Sequence, residues 1–228
     1  MDHLLIELIG ATTLFLATHF ALSHPLRRST IAMVGERGFM AVYSLVALVT
    51  FGWMIVAFHK ARYDALPLWD GTKPVAWALA SAITLLGAVL FAGSFAGNPA
   101  MPDPRAREHA RHRPHGVFNI TRHPMMWGFT LLCAAHVLVS PVPRVMIVAG
   151  AISFLALAGS ALQDHKKRDQ LGSAWEKWEE RTTFFPRLGQ LLRAGPFALL
   201  AGLLGWLAIT WGHQAAWAIP AGLWRWLG

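Results

Sequence analysis

The stretch His115–Val139, HGVFNITRHPMMWGFTLLCAAHVLV, determines how the rest of the chain is interpreted. It begins as a basic turn and continues into an apolar segment that we predict to be a helix. Cys133 and His136 are three residues apart, a spacing that places both on one helical face. A histidine, a thiol and the corner Arg122-His123-Pro124 are costly beside lipid unless they hold a polar or metallic group. We therefore expect the functional site near this stretch.

The composition indicates an integral membrane protein. Hydrophobic residues make up 55% of the 228 residues and charged residues only 14%, whereas a soluble domain carries about 25% charged residues. The net charge of +8 does not indicate nucleic-acid binding, because the Lys and Arg residues occupy loops between apolar runs, as membrane topology requires. The expected partners are the lipid bilayer and a lipophilic small molecule.

The apolar runs predict an all-α fold, a single domain over residues 1–228 built as a polytopic membrane helix bundle. Six spans are expected, near residues 4–23, 38–58, 75–96, 125–140, 145–162 and 196–211. The fourth is short, about 24 Å at the helical rise against a hydrocarbon core of about 30 Å.

Three polar segments complete this prediction. Four prolines between Pro99 and Pro114 argue against a helix there and indicate a cationic connector. The segment Asp164–Arg193 predicts an amphipathic cytoplasmic helix followed by a membrane-edge loop. The tail, with Trp217, Trp224 and Trp226, is typical of an interfacial anchor.

The basic residues also predict orientation. Fifteen of the 20 Lys and Arg residues fall in the first, third and fifth loops. The positive-inside rule then places those loops in the cytoplasm and both termini in the periplasm. We expect a multi-pass protein of a bacterial inner membrane.

Histidines within the spans suggest a metal cofactor. A histidine in a span must hydrogen-bond or bind metal, and interhelical hydrogen bonds explain any one of them about equally well. A closed zinc site needs four N or S ligands, which one cysteine and scattered histidines do not suggest. A b-type haem fits better, with His19 and His136 as axial ligands and Cys133 as an exchangeable ligand.

Arginines near the predicted cytoplasmic edge would pair with the haem propionates. The candidates are Arg27, Arg28 and Arg122. His19 and His136 differ in expected depth by roughly 9 Å at the helical rise, so His24 and His123 form a second candidate pair. We expect His136→Ala to abolish six-coordinate haem and His213→Ala, near the far end of the last span, to leave it unchanged.

Several short motifs along the chain match those of a known family. The chain resembles the NnrU family and, in the same superfamily, zeta-carotene isomerase. The shared pieces are His19 with Leu26-Arg27, Gly35-Glu36-Arg37, Arg62-Tyr63-Asp64 with Leu68-Trp69, Ile120-Thr121-Arg122-His123-Pro124, Cys133-x-x-His136, and Trp175 with Arg181-Thr182. The resemblance implies a haem b protein with His19 and His136 as axial ligands and Cys133 as the alternative ligand. NnrU proteins are linked to nitrite and nitric oxide reduction, and the isomerase acts on a cis double bond without net redox change.

A fainter resemblance is to the isoprenylcysteine and phospholipid methyltransferases. It rests on Arg122-His123-Pro124 and on later residues that include Asp164, Gly172 and Trp175. In those enzymes Arg-His-Pro and a Glu-Glu pair hold S-adenosylmethionine. Here the pair reads Gln163-Asp164, so one acid is missing and the other is shortened.

Three functional hypotheses follow. The first is a haem-dependent enzyme, isomerase-like or redox-active, in which His136, Cys133 and His123 take catalytic roles and Arg122 holds propionates or polarises a lipophilic substrate. The second is a non-catalytic haem sensor or accessory protein of nitric oxide metabolism. The third is a membrane methyltransferase that uses S-adenosylmethionine.

Overall fold

The computed structural model describes residues 3–61 and 66–227, and the regular structure within them is helical. The helices are α1 His3–Ser23, α2 Arg27–Lys60, α3 Pro74–Gly93, α4 Ala106–Arg111, α5 Pro124–Val139, α6 Pro143–Leu171, α7 Ser173–Arg181, α8 Pro196–Trp217 and α9 Trp224–Leu227. Short 3-10 helices cover Gly116–Asn119 and Leu188–Arg193.

The helices confirm a polytopic membrane protein. Within the described ranges, α1, α2, α3, α6 and α8 are long and apolar enough to cross a membrane. The remaining predicted span, the fourth, is α5, which is apolar but only 16 residues long. The all-helical membrane bundle expected from the hydropathy pattern is therefore confirmed.

Two helices are longer than the apolar runs indicate. The run near residues 38–58 predicts only the later part of α2, because Arg27–Arg37 is rich in polar residues. Gly35, with φ 73° and ψ 172°, interrupts the helix between these parts, a conformation that glycine adopts without strain. Helix α6 likewise continues past the predicted end near residue 162 to Leu171.

The prediction that the proline-rich connector contains no helix was wrong. Helix α4 fits between Pro104 and Pro114 and is held at both ends. The backbone N–H of Arg105 donates to the Asp103 carboxylate at 2.7 Å, and this hydrogen bond lowers the pKa of Asp103. At the other end, the Arg181 guanidinium donates to the carbonyls of Ala110 and Arg111 at 2.7 and 3.1 Å. These contacts satisfy polar groups that a helix terminus leaves open.

The amphipathic helix expected after Asp164 is present as α7. Its aromatic face is buried, with Trp175 and Trp178 at 0% and 1% exposure. These rings belong to one apolar cluster with Phe118 and Ile120, and the Phe118 and Trp178 ring centroids lie 5.6 Å apart. The apolar face of α7 is therefore covered by protein.

The described contacts divide the chain into two compact units. Unit one contains the residues up to Trp69 and residues 141–151, and unit two contains residues 70–140 and those from 152 onward. In unit one, α1 packs along α2. The expectation of a single domain over residues 1–228 stays a prediction.

In unit two, α3 packs between α5 and α8. A Cβ on Gly128 would lie 2.8 Å from the Gly87 carbonyl oxygen, and one on Gly202 would lie 2.6 Å from Val89 Cα. Missing side chains therefore let the backbones approach closely, as in many membrane helix pairs. Gly71, just before α3, approaches Val139 at the end of α5. Both α5 and α8 run antiparallel to α3.

Candidate functional site

A network of charged side chains surrounds the beginning of α5 in unit two. The segment before the helix is fixed by backbone contacts to the chain that follows α7. Arg122 N–H donates to the Thr183 carbonyl at 2.8 Å, and Arg187 N–H donates to the Ile120 carbonyl at 2.8 Å. The Thr121 hydroxyl adds a 2.7 Å bond to the Phe184 carbonyl. These bonds hold the Arg-His-Pro corner in one conformation.

Arg122 is the first member of this network. Its Nε and Nη2 atoms donate to Asp164 Oδ2 at 2.9 and 2.7 Å, and Nη2 also lies 3.5 Å from Glu179 Oε1. The guanidinium stacks over the Phe184 ring at 5.5 Å. Arg122 is thus already engaged by two carboxylates of its own chain. Holding haem propionates would require it to leave these partners.

His123 approaches the same carboxylate from the other side. Its Nε2 lies 2.9 Å from Asp164 Oδ1, and both residues are 3% exposed. The two atoms do not have hydrogen-bond geometry, and in the described part of the chain neither has another hydrogen-bond partner. The contact is therefore a short polar contact. The His123 ring also packs on Phe184, with centroids 5.2 Å apart.

A second ion pair completes the network. Arg168 donates from Nε and Nη2 to the two oxygens of Glu179 at 2.6 and 2.8 Å, the bidentate geometry that suits a guanidinium. Arg122 and Arg168 are thereby matched by Asp164 and Glu179. Arg168 and Glu179 are not among the site residues predicted from the sequence, although Arg168 follows Asp164 by four residues, a spacing that brings side chains together on a helix.

Cys133 and His136 lie at the other end of α5. Cys133 is buried, whereas His136 is exposed. The Nδ1 atom of His136 lies 2.8 Å from the Leu132 carbonyl oxygen. The ring centroid of His136 lies 6.5 Å from that of His213 on α8. The two residues of the Cys-x-x-His motif therefore face different surroundings.

His19 belongs to unit one, where it contacts Tyr43, which is not among the residues predicted from the sequence. The Tyr43 hydroxyl lies 2.6 Å from His19 Nε2, and the Ser23 hydroxyl lies 3.4 Å from that of Tyr43. The Nδ1 atom of His19 is buried and has no hydrogen-bond partner among the described residues. Tyr43 is one of two tyrosines in the chain, and this rarity was the only indication in the sequence.

The basic candidates of unit one lie near the start of α2. The Arg27 guanidinium is 5.2 Å from the Phe39 ring centroid, Arg28 is exposed and His24 is half-buried. The structure thus brings together Arg122, His123 and Asp164 in unit two. Haem ligation by His19 with His136, or by His24 with His123, stays a prediction. The motif residues Arg62-Tyr63-Asp64 lie outside the described residues.

Groups of three or more possible metal ligands were sought among the described residues. Within residues 3–61 and 66–227, no three His, Cys, Asp or Glu side chains form a group that could hold an ion.

Comparisons with known proteins give one family and two relatives. The family model described as NnrU protein matches residues 7–221. The chain is 27% identical over 182 residues to the chloroplastic 15-cis-zeta-carotene isomerase of Zea mays, covering 77% of this chain and 48% of that protein. It is 26% identical over 161 residues to the Arabidopsis thaliana protein of the same name, covering 68% and 42%. The chain spans less than half the length of these relatives. No solved structure gives a significant match.

Proposed function

The chain belongs to the NnrU family, and on this premise we propose that it binds haem b and isomerises a double bond in a lipophilic molecule. Support for the reaction comes from similarity to two proteins named 15-cis-zeta-carotene isomerase. Support for a lipophilic substrate also comes from the five apolar helices that can cross a membrane. Such a substrate would reach the protein through the bilayer.

The observation that carries the haem assignment is the state of His136. Its Nδ1 atom faces the Leu132 carbonyl oxygen at 2.8 Å. A carbonyl only accepts hydrogen bonds, so Nδ1 carries the proton and the Nε2 lone pair of the neutral ring is available. Metal-binding histidines commonly show this arrangement, because the backbone bond fixes both tautomer and ring orientation. His136 therefore fits the role of an axial ligand.

His19 fits the same role less directly. Its Nε2 atom lies 2.6 Å from the Tyr43 hydroxyl, while its Nδ1 atom is buried without a hydrogen-bond partner among the described residues. Coordination through Nε2 would require this tyrosine contact to open. The buried and unpaired Nδ1 is costly, and only a metal bound at Nδ1 itself would remove that cost.

The remaining residues divide into supporting roles. Bound haem would supply a Lewis-acid or one-electron centre. Cys133, one helical turn before His136, is the candidate for an exchangeable ligand. Arg122 and His123 hold the beginning of α5 through Asp164, which positions the helix that carries His136. The isomerisation changes only the configuration of one double bond, so no atom enters or leaves the substrate.

The test uses the full chain purified in detergent and supplemented with haemin. We expect a low-spin b-type absorption spectrum, because two imidazoles make the iron six-coordinate. His136→Ala should abolish this spectrum. Lipid extract containing a cis-carotenoid, incubated with each protein, should then give less trans product with the variant. His59→Ala is the control, since His59 makes the same type of bond, Nδ1 to the Ile55 carbonyl at 2.8 Å.

Three outcomes would contradict the proposal. A preparation that retains no haem once unbound haemin is removed would contradict the cofactor assignment. A haem spectrum that responds to nitric oxide without any change in carotenoid isomers would favour the sensor. Binding of S-adenosylmethionine by a colourless preparation would favour the methyltransferase.

A further inference from the structure

The chain between α7 and α8 is apolar on its outer side. Leu188 and Leu192, in the second 3-10 helix, are 64% and 98% exposed, and Phe185 just before it is 69% exposed. Leu191, by contrast, packs against the apolar cluster of unit two. We call residues 185–193 the connecting segment. It is held to the protein on one side and presents three large apolar side chains on the other, which is typical of an interaction surface.

Basic side chains lie beside these apolar ones. Arg187 and Arg193 belong to the connecting segment and are exposed. A Cβ on Gly116 would lie 3.1 Å from the Ala194 carbonyl oxygen, so the chain before the first 3-10 helix runs close to the end of the connecting segment. Arg113, also exposed, precedes Gly116 by three residues. We call Arg113, Arg187 and Arg193 the basic cluster.

The positive charge of the basic cluster is not compensated locally. Residues 111–122 and 182–196 together contain five arginines and no aspartate or glutamate. Among the residues that the structure describes, no guanidinium of the basic cluster has an ion-pair partner. Arg122, in the first of these stretches, differs because it reaches Asp164 and Glu179 on other helices. The basic cluster is therefore free to attract anions.

The depth of the connecting segment follows from the helices it adjoins. Helix α8, which is long and apolar enough to cross a membrane, begins at Pro196, three residues after Arg193. Three residues of chain span at most about 11 Å. Trp127, in the first turn of α5, has its ring centroid 5.8 Å from that of Phe185, and tryptophan is enriched where a membrane meets water. These neighbours place the connecting segment at the level of the lipid headgroups.

We propose that the connecting segment and the basic cluster form a binding surface for anionic phospholipids in the leaflet that borders this end of unit two. The apolar side chains enter the outer part of the hydrocarbon layer. The guanidinium groups bind lipid phosphates, whose oxygens suit their paired donors. The partner is a bilayer because the charge and the apolar side chains lie together at the start of a helix that can cross one. The inference depends on neither haem nor isomerisation.

The first experiment measures the preference for lipid charge. The full chain, purified in detergent, is titrated with phosphatidylglycerol or with phosphatidylcholine of the same acyl chains, and bound lipid is counted by native mass spectrometry. Wild type is compared with the double variant Arg187→Gln/Arg193→Gln, which removes two charges and keeps the apolar side chains.

The control is the double variant Arg105→Gln/Lys177→Gln, which removes the same charge from exposed positions elsewhere in unit two. These side chains lie beside carboxylates. Arg105 Nε is 3.7 Å from Asp103 Oδ1, and Lys177 directly follows Glu176 in the chain. The control therefore separates the loss of net charge from the loss of the basic cluster.

We expect wild type to bind phosphatidylglycerol more tightly than phosphatidylcholine, and added salt to reduce this preference. Each arginine removed from the basic cluster should weaken phosphatidylglycerol binding about fivefold, the usual contribution of one basic residue at an anionic surface. Binding of phosphatidylcholine should not change, and the control should match wild type. Equal affinity of wild type and Arg187→Gln/Arg193→Gln for phosphatidylglycerol would overturn the proposal.

The second experiment measures depth in vesicles of phosphatidylcholine and phosphatidylglycerol. Leu192→Cys and Glu180→Cys, each in a Cys133→Ala background, are spin-labelled and examined by electron paramagnetic resonance. Glu180 is exposed on α7 and serves as the control position. The label at position 192 should respond more to oxygen, which dissolves in lipid, and the label at position 180 more to a nickel chelate, which stays in water. A label at position 192 that is as accessible to the chelate as one at position 180 would overturn the proposal and favour a soluble acidic partner.

Discussion

The two ends of α5 treat a histidine in opposite ways. His123 precedes the helix and faces Asp164 within a network that matches two arginines with two carboxylates. His136, roughly 20 Å further along at the helical rise, has its Nδ1 bound to a backbone carbonyl and another imidazole as its neighbour. One end surrounds its histidine with charge, and the other leaves a coordinating nitrogen available.

The two ends of α5 therefore differ in whether their polar groups are already paired within the protein. Buried charges require partners, and the groups around Arg122 find them within unit two. An imidazole whose lone pair is not used by the protein can accept a ligand. The charged corner, although it has the more recognisable sequence motif, is therefore the better candidate for holding the fold, and the imidazole end is the better candidate for chemistry.

The largest effect is expected from Asp164→Asn. The substitution keeps the shape but leaves the Arg122 guanidinium without its closest carboxylate. Breaking one partner of a buried pair costs about 3 to 5 kcal/mol. Thermal unfolding in detergent, followed by circular dichroism, measures the loss, with Asp169→Asn on the exposed side of the same helix as control. A variant as stable as wild type would show that the network does not hold the fold.

A smaller effect is expected from Gly202→Ala, which tests the support of the imidazole end. Its Cβ would lie 2.6 Å from Val89 Cα, whereas a Cβ on Gly205 meets nothing within 4 Å. Overpacking costs about 1 to 3 kcal/mol, so Gly202→Ala should lower the unfolding temperature while Gly205→Ala should not. Equal behaviour of the two variants would contradict the close α3–α8 packing.

The smallest effect is expected from Arg168→Lys. Lysine keeps the charge but cannot form the two-pronged contact with Glu179. Glu179 is partly exposed, so solvent screens the pair, and the loss should be about 1 kcal/mol or less. The unfolding temperature is the measurement, and haem binding should be unchanged. A change in the haem spectrum would show that the two ends of α5 are coupled.

The sequence predicts the helical membrane fold well, because long apolar runs allow few alternatives in a bilayer. It places helix ends less well. The start of α2 is hidden by the polar stretch up to Arg37, and α4 is hidden by the prolines on either side. Both helices depend on contacts between distant residues, such as Arg181 with the carbonyls that end α4, and these contacts have no local pattern.

The candidate site is predictable only in part. Arg122, His123 and Asp164 are found from a motif, and the structure brings them together. Glu179 joins them from another helix, and nothing in its neighbourhood indicates that contact. The expectation that His213→Ala leaves haem binding unchanged stays a prediction. The proximity of His213 to His136 follows from the antiparallel packing of α5 and α8 on α3, which a single sequence does not reveal.

The brevity of α5 has a consequence for the surrounding lipid. With 16 residues it is several ångströms shorter than the hydrocarbon layer, and a bilayer accommodates such a segment by becoming thinner around it. Acyl chains beside α5 would then be compressed, and headgroups drawn inward on one or both sides. The proposed lipophilic substrate would leave the lipid most readily where the bilayer is thinned, alongside the helix that carries His136.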